Sequence, residues 1–165
     1  MGNHTQTLPN GDRYKGDLVD GKKHGKGTYI WPNGNKYIGE WKDNAINGNG
    51  ELIFSTGAKY NGKWKNNKFD GEGEFNWTNG DRYNGNWKNG KKQGHGVFYY
   101  SDGDIYDGEW NNDMKEGKGK LTYNNGTIYE GNWKADKREG EGVFKNAVLN
   151  VEYNEGVLTK IKVMK

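Results

Sequence analysis

Apolar and polar residues alternate along short segments of this chain. In residues 37–41 two aromatic rings and a glycine occupy every second position, with Ile38 and Glu40 between them. In residues 50–54 a glycine, Leu52 and Phe54 occupy every second position in the same way. A period of two is typical of a β-strand with one buried face. Each segment therefore predicts a strand with one aromatic face and one variable face.

The pattern recurs every 23 residues. One tyrosine opens each repeat: Tyr14, Tyr37, Tyr60, Tyr83, Tyr106 and Tyr129. A glycine follows two residues later, a tryptophan (leucine in the first repeat) four residues later, and a Gly-x-Gly sequence closes the repeat. A fixed period of this length indicates an array in which each repeat packs on its neighbours, because none can bury a core alone. We predict an all-β fold, an elongated single-layer antiparallel sheet of tandem β-hairpins that forms a rod.

The odd period constrains the turns. To keep the aromatic residues on one face, each repeat needs one even and one odd connection, because a slip of one residue reverses the faces. We predict a six-residue loop between Leu18 and Gly25, which then lie opposite each other. For the other connection we predict a three-residue turn with a bulge at residues 33–35, which places Trp31 opposite Tyr37.

The periodic glycines have a predicted packing role. The register above sets Tyr29 opposite Gly39 and Gly27 opposite Trp41. A glycine opposite a ring leaves bare backbone, so that the ring can lie across it and recover burial in a sheet without a second layer.

Three regions follow from the limits of the repeat. Residues 1–9 form a leader that is either disordered or adds a short strand. Residues 10–145 contain the six repeats, and residues 146–165 form a degenerate C-terminal cap, with a hairpin around Asn154-Glu155-Gly156.

Composition and charge narrow the function classes. Of the 165 residues 30% are hydrophobic and 14% aromatic, so the rings carry much of the apolar burial and a thin body is expected. The net charge of +3, with Lys and acidic residues interspersed, argues against a nucleic-acid partner. The chain has no Cys and therefore no thiolate metal site. We expect no nucleic acid, no metal and no cofactor.

No arrangement of catalytic residues stands out in the sequence. His24 and His95 occupy different positions in their repeats, so no nucleophile and base pair recurs. Asp102, Asp104 and Asp107 lack the spacing of a calcium-binding loop and are typical of a turn. We predict that the protein is not an enzyme.

Residues 81–90, with the sequence DRYNGNWKNG, and Gly94-His95-Gly96 after them resemble the MORN (membrane occupation and recognition nexus) motif. The resemblance covers about residues 10–145. It implies a sheet of stacked hairpins that serves as a scaffold and binds peptides along an aromatic groove, acidic phospholipids, or a second copy as a dimer. We expect a soluble cytoplasmic protein, with association with a membrane or the cytoskeleton as alternatives.

The aromatic ladder is the first candidate site, since Trp and Tyr dominate interface hot spots and a single layer cannot hide all these rings from water. The predicted partner-binding groove contains Tyr14, Trp31, Tyr37, Trp41, Phe54, Tyr60, Trp64, Trp77, Tyr83, Trp87, Tyr100, Tyr106, Trp110, Tyr123, Tyr129 and Trp133. We predict a non-catalytic scaffold that binds a protein or peptide partner there. A self-assembling structural component of the cytoskeleton or cilium is an alternative.

The loops after the tryptophans are the second candidate site, because cations on that edge could meet anionic lipid headgroups. The candidate lipid-binding residues are Lys22, Lys23, Lys88, Lys91, Lys92, Lys137 and Arg138. Acidic residues such as Asp43 and Asp70 lie among them and favour a solvated edge of mixed charge. Binding of acidic phospholipids is therefore an alternative function.

Overall fold

A computed structural model of the chain describes residues 4–145 and 149–163. These described residues form fifteen strands: β1 (His4–Thr7), β2 (Arg13–Val19), β3 (Lys22–Ile30), β4 (Lys36–Lys42), β5 (Ala45–Ile53), β6 (Lys59–Lys65), β7 (Lys68–Asn76), β8 (Arg82–Lys88), β9 (Lys91–Tyr99), β10 (Ile105–Asn111), β11 (Met114–Thr122), β12 (Ile128–Lys134), β13 (Lys137–Lys145), β14 (Leu149–Asn154) and β15 (Val157–Val163).

The strands follow one another in a single antiparallel sheet in the order of the chain, from β1 to β15. The predicted all-β sheet of tandem hairpins is therefore confirmed. Within residues 4–145 and 149–163 there is no helix that could cross a membrane.

Two compact units divide the chain. The first comprises the described residues up to Thr78 together with Trp87–Gly90, and contains β1 to β7. The second comprises Asn79–Asn86 and the described residues from Lys91 onward, and contains β9 to β15. The same interactions recur within each unit.

The turn that joins the two strands of a repeat has two residues. In the first repeat Val19 pairs with Lys22 across Asp20-Gly21, whose φ angles are 49° and 73°. Positive φ at both central residues defines a type I′ turn, which matches the right-handed twist of the strands and which Asp, Asn and Gly tolerate. The predicted six-residue loop is therefore wrong.

A bulge accommodates the extra residues of β3 that remain unpaired because the turn is short. Gly16 pairs with Gly27, whereas Leu18 pairs with Lys23, so one residue of β2 lies opposite three of β3. Leu18 therefore does not lie opposite Gly25, as we had expected. Gly25 sits inside the bulge with φ 64°, in the left-handed region that favours glycine. Because two residues are added, both faces of the strand are preserved.

The connection between repeats is a three-residue turn, but it lies one residue earlier than predicted. The Trp31 N–H donates to the carbonyl of Asn35 at 2.9 Å, and the loop between them begins at Pro32 and ends at Gly34. Gly34 has φ 88° and supplies the left-handed residue that closes such a turn. The combination of an even and an odd connection in each repeat is confirmed.

This displacement changes the partners across the strands. Tyr29, and not Trp31, lies opposite Tyr37, and Gly39 lies opposite Gly27 and not opposite Tyr29. Trp41 lies opposite Gly25 rather than Gly27. The predicted register was therefore wrong by two residues.

Glycine pairs with glycine in rows that cross the sheet. In the first compact unit the row contains Gly16, Gly27, Gly39, Gly50, Gly62 and Gly73. In the second it contains Gly96, Gly108, Gly119, Gly131 and Gly142.

Each repeat tyrosine lies diagonally over two glycines of the row. A Cβ added at Gly50 would lie 2.5 Å from Cε2 and Cζ of Tyr37, and one added at Gly39 would lie 2.5 Å from the Cα of Gly50. Ring and backbone therefore pack so closely that a single methyl group has no space. The expected contact between ring and bare backbone is present, although with other glycines than predicted.

The ends of the sheet differ from the repeats. Residues 4–7 add β1, which pairs with β2. In β14, Val151 pairs with Gly142 and is buried, so a β-branched side chain ends the glycine row. The hairpin of β14 and β15 turns at Glu155-Gly156, as predicted, with φ angles of 50° and 82°. Parts of the predicted leader and cap, residues 1–3, 146–148 and 164–165, lie outside the described residues.

We predict that Gly50→Ala lowers the free energy of unfolding by about 1–3 kcal/mol, the usual cost of overpacking, because the Tyr37 ring must move off the backbone. Denaturant unfolding measures this loss. Asn49→Ala is the matched control, since Asn49 is exposed on the opposite face of the same strand. Equal stability of Gly50→Ala and Asn49→Ala would contradict the packing described.

Candidate binding surface on the aromatic face

The repeat tyrosines anchor the aromatic face. Tyr37, Tyr60, Tyr83 and Tyr106 are each 0% exposed. The Tyr37 Oη donates a hydrogen bond to the carbonyl of Glu40 at 3.1 Å. Four other repeat tyrosines likewise donate to the carbonyl of the residue three positions later. These five rings are therefore fixed both by the glycines below them and by their own bulges, whereas the buried hydroxyl of Tyr129 has no hydrogen-bond partner in the described structure.

Tryptophans bridge adjacent tyrosines. The Trp64 ring packs edge-on against Tyr37 and Tyr60, with centroid distances of 5.3 and 5.2 Å and interplanar angles of 82° and 88°. Its Nε1 donates to the carbonyl of Gly50 at 3.0 Å. Edge-to-face geometry is the favourable arrangement of aromatic pairs, and the indole donor is satisfied by backbone. Trp41, Trp87, Trp110 and Trp133 donate to glycine carbonyls in the same manner.

Burial separates the predicted groove residues into two groups. Eleven of the sixteen, the six repeat tyrosines and the five tryptophans at the end of the first strand of a repeat, are buried. The other five are half-buried, one for each turn between repeats: Trp31, Phe54, Trp77, Tyr100 and Tyr123. These five rings adjoin the buried lattice, as shown by the contact of Tyr100 with Phe98 at 4.5 Å between centroids. The surface available to a partner is therefore smaller than the sequence suggests.

Cations cover part of this face. Lys23, Lys92, Lys115 and Arg138 occupy the same position in four repeats, and each lies over two or more rings. The Lys92 Nζ, for example, is 4.1 Å from the Trp110 ring centroid, within cation–π range. Burial lowers the pKa of Lys23, Lys92 and Lys115 below the ordinary value, and nearby carboxylates partly oppose this. In the remaining repeats Ile46 and Phe69 take this position.

The candidate lipid-binding residues divide accordingly. Lys23, Lys92 and Arg138 are half-buried on the aromatic face and do not line the loop edge. The others are exposed at the type I′ turns: Lys22, Lys88, Lys91 and Lys137. The Lys88 Nζ lies 3.4 Å from Oδ1 of Asp70, so part of this edge is already neutralised. Lys115 was not among the predicted residues, although alignment of the chain at its 23-residue period places it with Lys92.

Hollows occur on both faces of the first compact unit. On the aromatic face, a hollow of about 350 Å³ lies between Lys23, Trp31, Ile46 and Leu52. On the opposite face a wider groove of about 760 Å³ is lined by mixed charges, including Lys26 and Glu40. The smaller hollow is the better candidate, because packed rings line it, whereas charged side chains line the wider groove.

No group of three or more His, Asp and Glu in the described ranges is arranged to hold a metal ion. The His95 Nε2 lies 2.8 Å from Oδ1 of Asp107, but both side chains are exposed on the face opposite the rings.

Comparisons with known proteins agree with this geometry. A family model described as MORN repeat matches residues 14–36, 37–59, 60–82, 83–105, 106–128 and 129–147. No curated protein matches the sequence.

Two solved structures are similar to this chain at low identity, and the first of them shows the same fold. The SAS-4 (dCPAP) TCP domain of Drosophila melanogaster, in complex with a proline-rich motif of Ana2 (dSTIL), is 15% identical, with 86% of this chain and 82% of that chain covered and a TM-score of 0.53. The TCP10c domain of D. melanogaster Sas-4 is 12% identical, with 86% and 90% covered and a TM-score of 0.48.

We predict that alkaline pH unfolds the protein through the repeat tyrosines. Burial raises the pKa of Tyr37, Tyr60, Tyr83 and Tyr106 far above the ordinary 10.0, and raises that of Tyr129 to about 12. The folded state holds these hydroxyls protonated, so their contribution to stability is complete below pH 10 and is lost as the pH rises through the folded-state values.

Absorbance at 295 nm, which reports tyrosinate, and near-ultraviolet circular dichroism measure this together. We expect both signals to change in one cooperative step above pH 10. Ionisation of all tyrosines near pH 10 with the dichroism unchanged would contradict the burial of the rings.

Proposed function

The chain belongs to the MORN repeat family, and on this premise we propose that it is a non-catalytic scaffold that binds a protein or peptide partner on its aromatic face. The observation that carries this proposal is the row of half-buried rings beside a buried aromatic lattice. Trp31, Phe54 and Trp77 supply it in the first compact unit, and Tyr100 and Tyr123 supply it in the second.

Rigidity makes these rings suited to binding. Trp31 packs on Tyr29 at 4.9 Å between centroids, and Trp77 packs on Phe75 at 4.5 Å. Ordering of side chains is one of the main costs of association, and side chains that are already held in place lose little freedom when a partner arrives. Half-buried aromatic residues around a fixed apolar support are also the usual composition of interface hot spots.

A protein of similar fold supports a peptide as the partner. The SAS-4 TCP domain of Drosophila was solved with a proline-rich motif of Ana2 bound. A sheet of this kind can thus hold a short segment of another chain, and aromatic-lined grooves are a recurring means of binding extended peptides. At 15% identity the similarity is one of fold alone. The partner of this chain must therefore be inferred from its own surface.

We predict that peptides selected from a random display library against the immobilised protein bind to the half-buried rings. The double substitution Trp31→Ala and Trp77→Ala should weaken peptides that occupy the first compact unit at least about tenfold, because truncation of a hot-spot ring costs more than about 1.4 kcal/mol. Fluorescence anisotropy with labelled peptides measures the affinity.

Tyr99→Ala is the matched control. Tyr99 is a half-buried ring on the opposite face, with the Arg82 guanidinium 4.0 Å from its centroid. Affinity should be unchanged in this variant. Failure to enrich any peptide, or loss of binding in Tyr99→Ala with full binding in the double variant, would overturn the proposed function.

A further inference from the structure

The two compact units differ at one position of the aromatic face. The position that lies over the rings is filled by Lys23, Ile46 and Phe69 in the first unit. In the second unit all three repeats place a cation there, Lys92, Lys115 and Arg138. Ile46 is buried in its repeat, so the fold accepts an apolar side chain at this position. The cations of the second unit are therefore not required by the packing.

Among the described residues no carboxylate lies within salt-bridge distance of these three cations, although Asp113 and Asp136 are near enough to favour the charges of Lys92 and Lys115. Oδ1 of Asp113 and of Asp136 each accept a backbone N–H at 2.8 Å, from Lys92 and Lys115 respectively, and these carboxylates cap the backbone rather than pair with the side-chain cations. Half-buried charges that lie over rings and form no salt bridge retain the capacity to bind a carboxylate.

Apolar contact surface lies directly beside the charges. The Lys115 Nζ is 5.2 Å from the centroid of Tyr100, a half-buried ring at a turn between repeats. Arg138 donates to the hydroxyl of Tyr123, the half-buried ring at the next such turn, and to that of Tyr153, while its buried Nε has no hydrogen-bond partner in the described structure. A ligand of this surface therefore needs anionic groups with apolar groups between them.

The spacing of the cations defines the ligand further. Lys92, Lys115 and Arg138 lie on β9, β11 and β13, and equivalent positions two strands apart recur about every 9.6 Å. A polyproline II helix presents every third residue on one side and advances about 9.3 Å in three residues. A β-strand presents same-side residues at about 6.6 or 13 Å, and neither matches. An α-helix repeats its face after seven residues, about 10.5 Å, which departs further from the cation spacing than the polyproline II repeat does.

We propose that the second compact unit binds an acidic segment in the polyproline II conformation that carries a carboxylate at every third residue, one for each of Lys92, Lys115 and Arg138. The residues between the carboxylates contact Tyr100 and Tyr123. This inference rests on the proposed function and specifies the partner for one of the two units.

The probe is a labelled synthetic peptide of four Pro-Pro-Glu triplets, titrated with the intact protein and followed by fluorescence anisotropy at low salt. Two peptides serve as controls, one with Gln in place of Glu and one of the same composition with the four Glu residues adjacent. We expect the regular acidic peptide to bind at least about tenfold more tightly than either control, and increasing salt to reduce the difference.

Substitutions that the chain already uses in other repeats test the site without loss of the fold. Lys115→Ile reproduces the residue at the equivalent Ile46 and should reduce affinity for the acidic peptide about tenfold, with little effect on the Gln peptide. Asp136→Asn should increase affinity, because it removes a competing carboxylate. The backbone cap is retained, since Oδ1 of Asn67 accepts the Ile46 N–H at 2.8 Å in the equivalent place.

Several outcomes would overturn the inference. Equal binding of the three peptides, or unchanged affinity in Lys115→Ile, would show that the cations do not select the ligand. Loss of that binding in Tyr100→Ala would still support the proposed function. Failure of all three peptides would reject the acidic segment, and the display selection would then decide on the aromatic face. Binding to phosphatidylserine vesicles that Lys115→Ile abolishes, without peptide binding, would assign the cations to a lipid headgroup instead.

Discussion

The fold depends on the contact between a tyrosine ring and the bare backbone of two glycines. A sheet with one layer has no second layer against which to bury its side chains, so it must obtain apolar burial within its own surface. The Tyr37 ring does so by lying over Gly39 and Gly50, where even one methyl group would not fit. The ring thus takes the place of the missing layer. The glycines that would weaken an ordinary strand become necessary here, because their lack of a side chain creates the seat for the ring.

The turns and bulges follow from the need to repeat this contact. Every tyrosine must point to the same face of the sheet. The connections within and between repeats must therefore bring the aromatic positions back to that face each time. A two-residue turn, a bulge with two extra residues and a three-residue turn together meet this condition. Asn and Asp at the turns accept positive φ and also cap the neighbouring repeat, as Asn44 does for the N–H of Lys23 at 2.9 Å. Local conformation and packing between repeats are therefore coupled in the same residues.

The period of the sequence made the architecture predictable, but it did not determine the register between the strands. The 23-residue spacing identifies the strands, their single aromatic face and the parity of the turns, because these depend only on which residues recur. The partners across strands depend on which residue of a loop adopts the left-handed conformation, and Asn33, Gly34 and Asn35 were all acceptable by composition. The exposure of individual rings was equally inaccessible. Trp31 of the first repeat and Trp41 of the second are both tryptophans of the aromatic pattern, and only their neighbours in space decide that Trp41 is buried.

Division of labour among the positions of the repeat explains how a regular sheet can carry a specific surface. The tyrosine, its two glycines and the bridging tryptophan are fully occupied with one another, so any change there acts first on stability. The position above the rings is different, because it accepts Lys23, Ile46, Phe69 or Arg138 on the same support. Variation at this position alters charge and shape at the surface without disturbing the lattice below. Repeats of one architecture can therefore carry Ile46 and Phe69 at this position in one unit and three cations in the other, and under the proposed function that position and the half-buried ring beside it would select the partner.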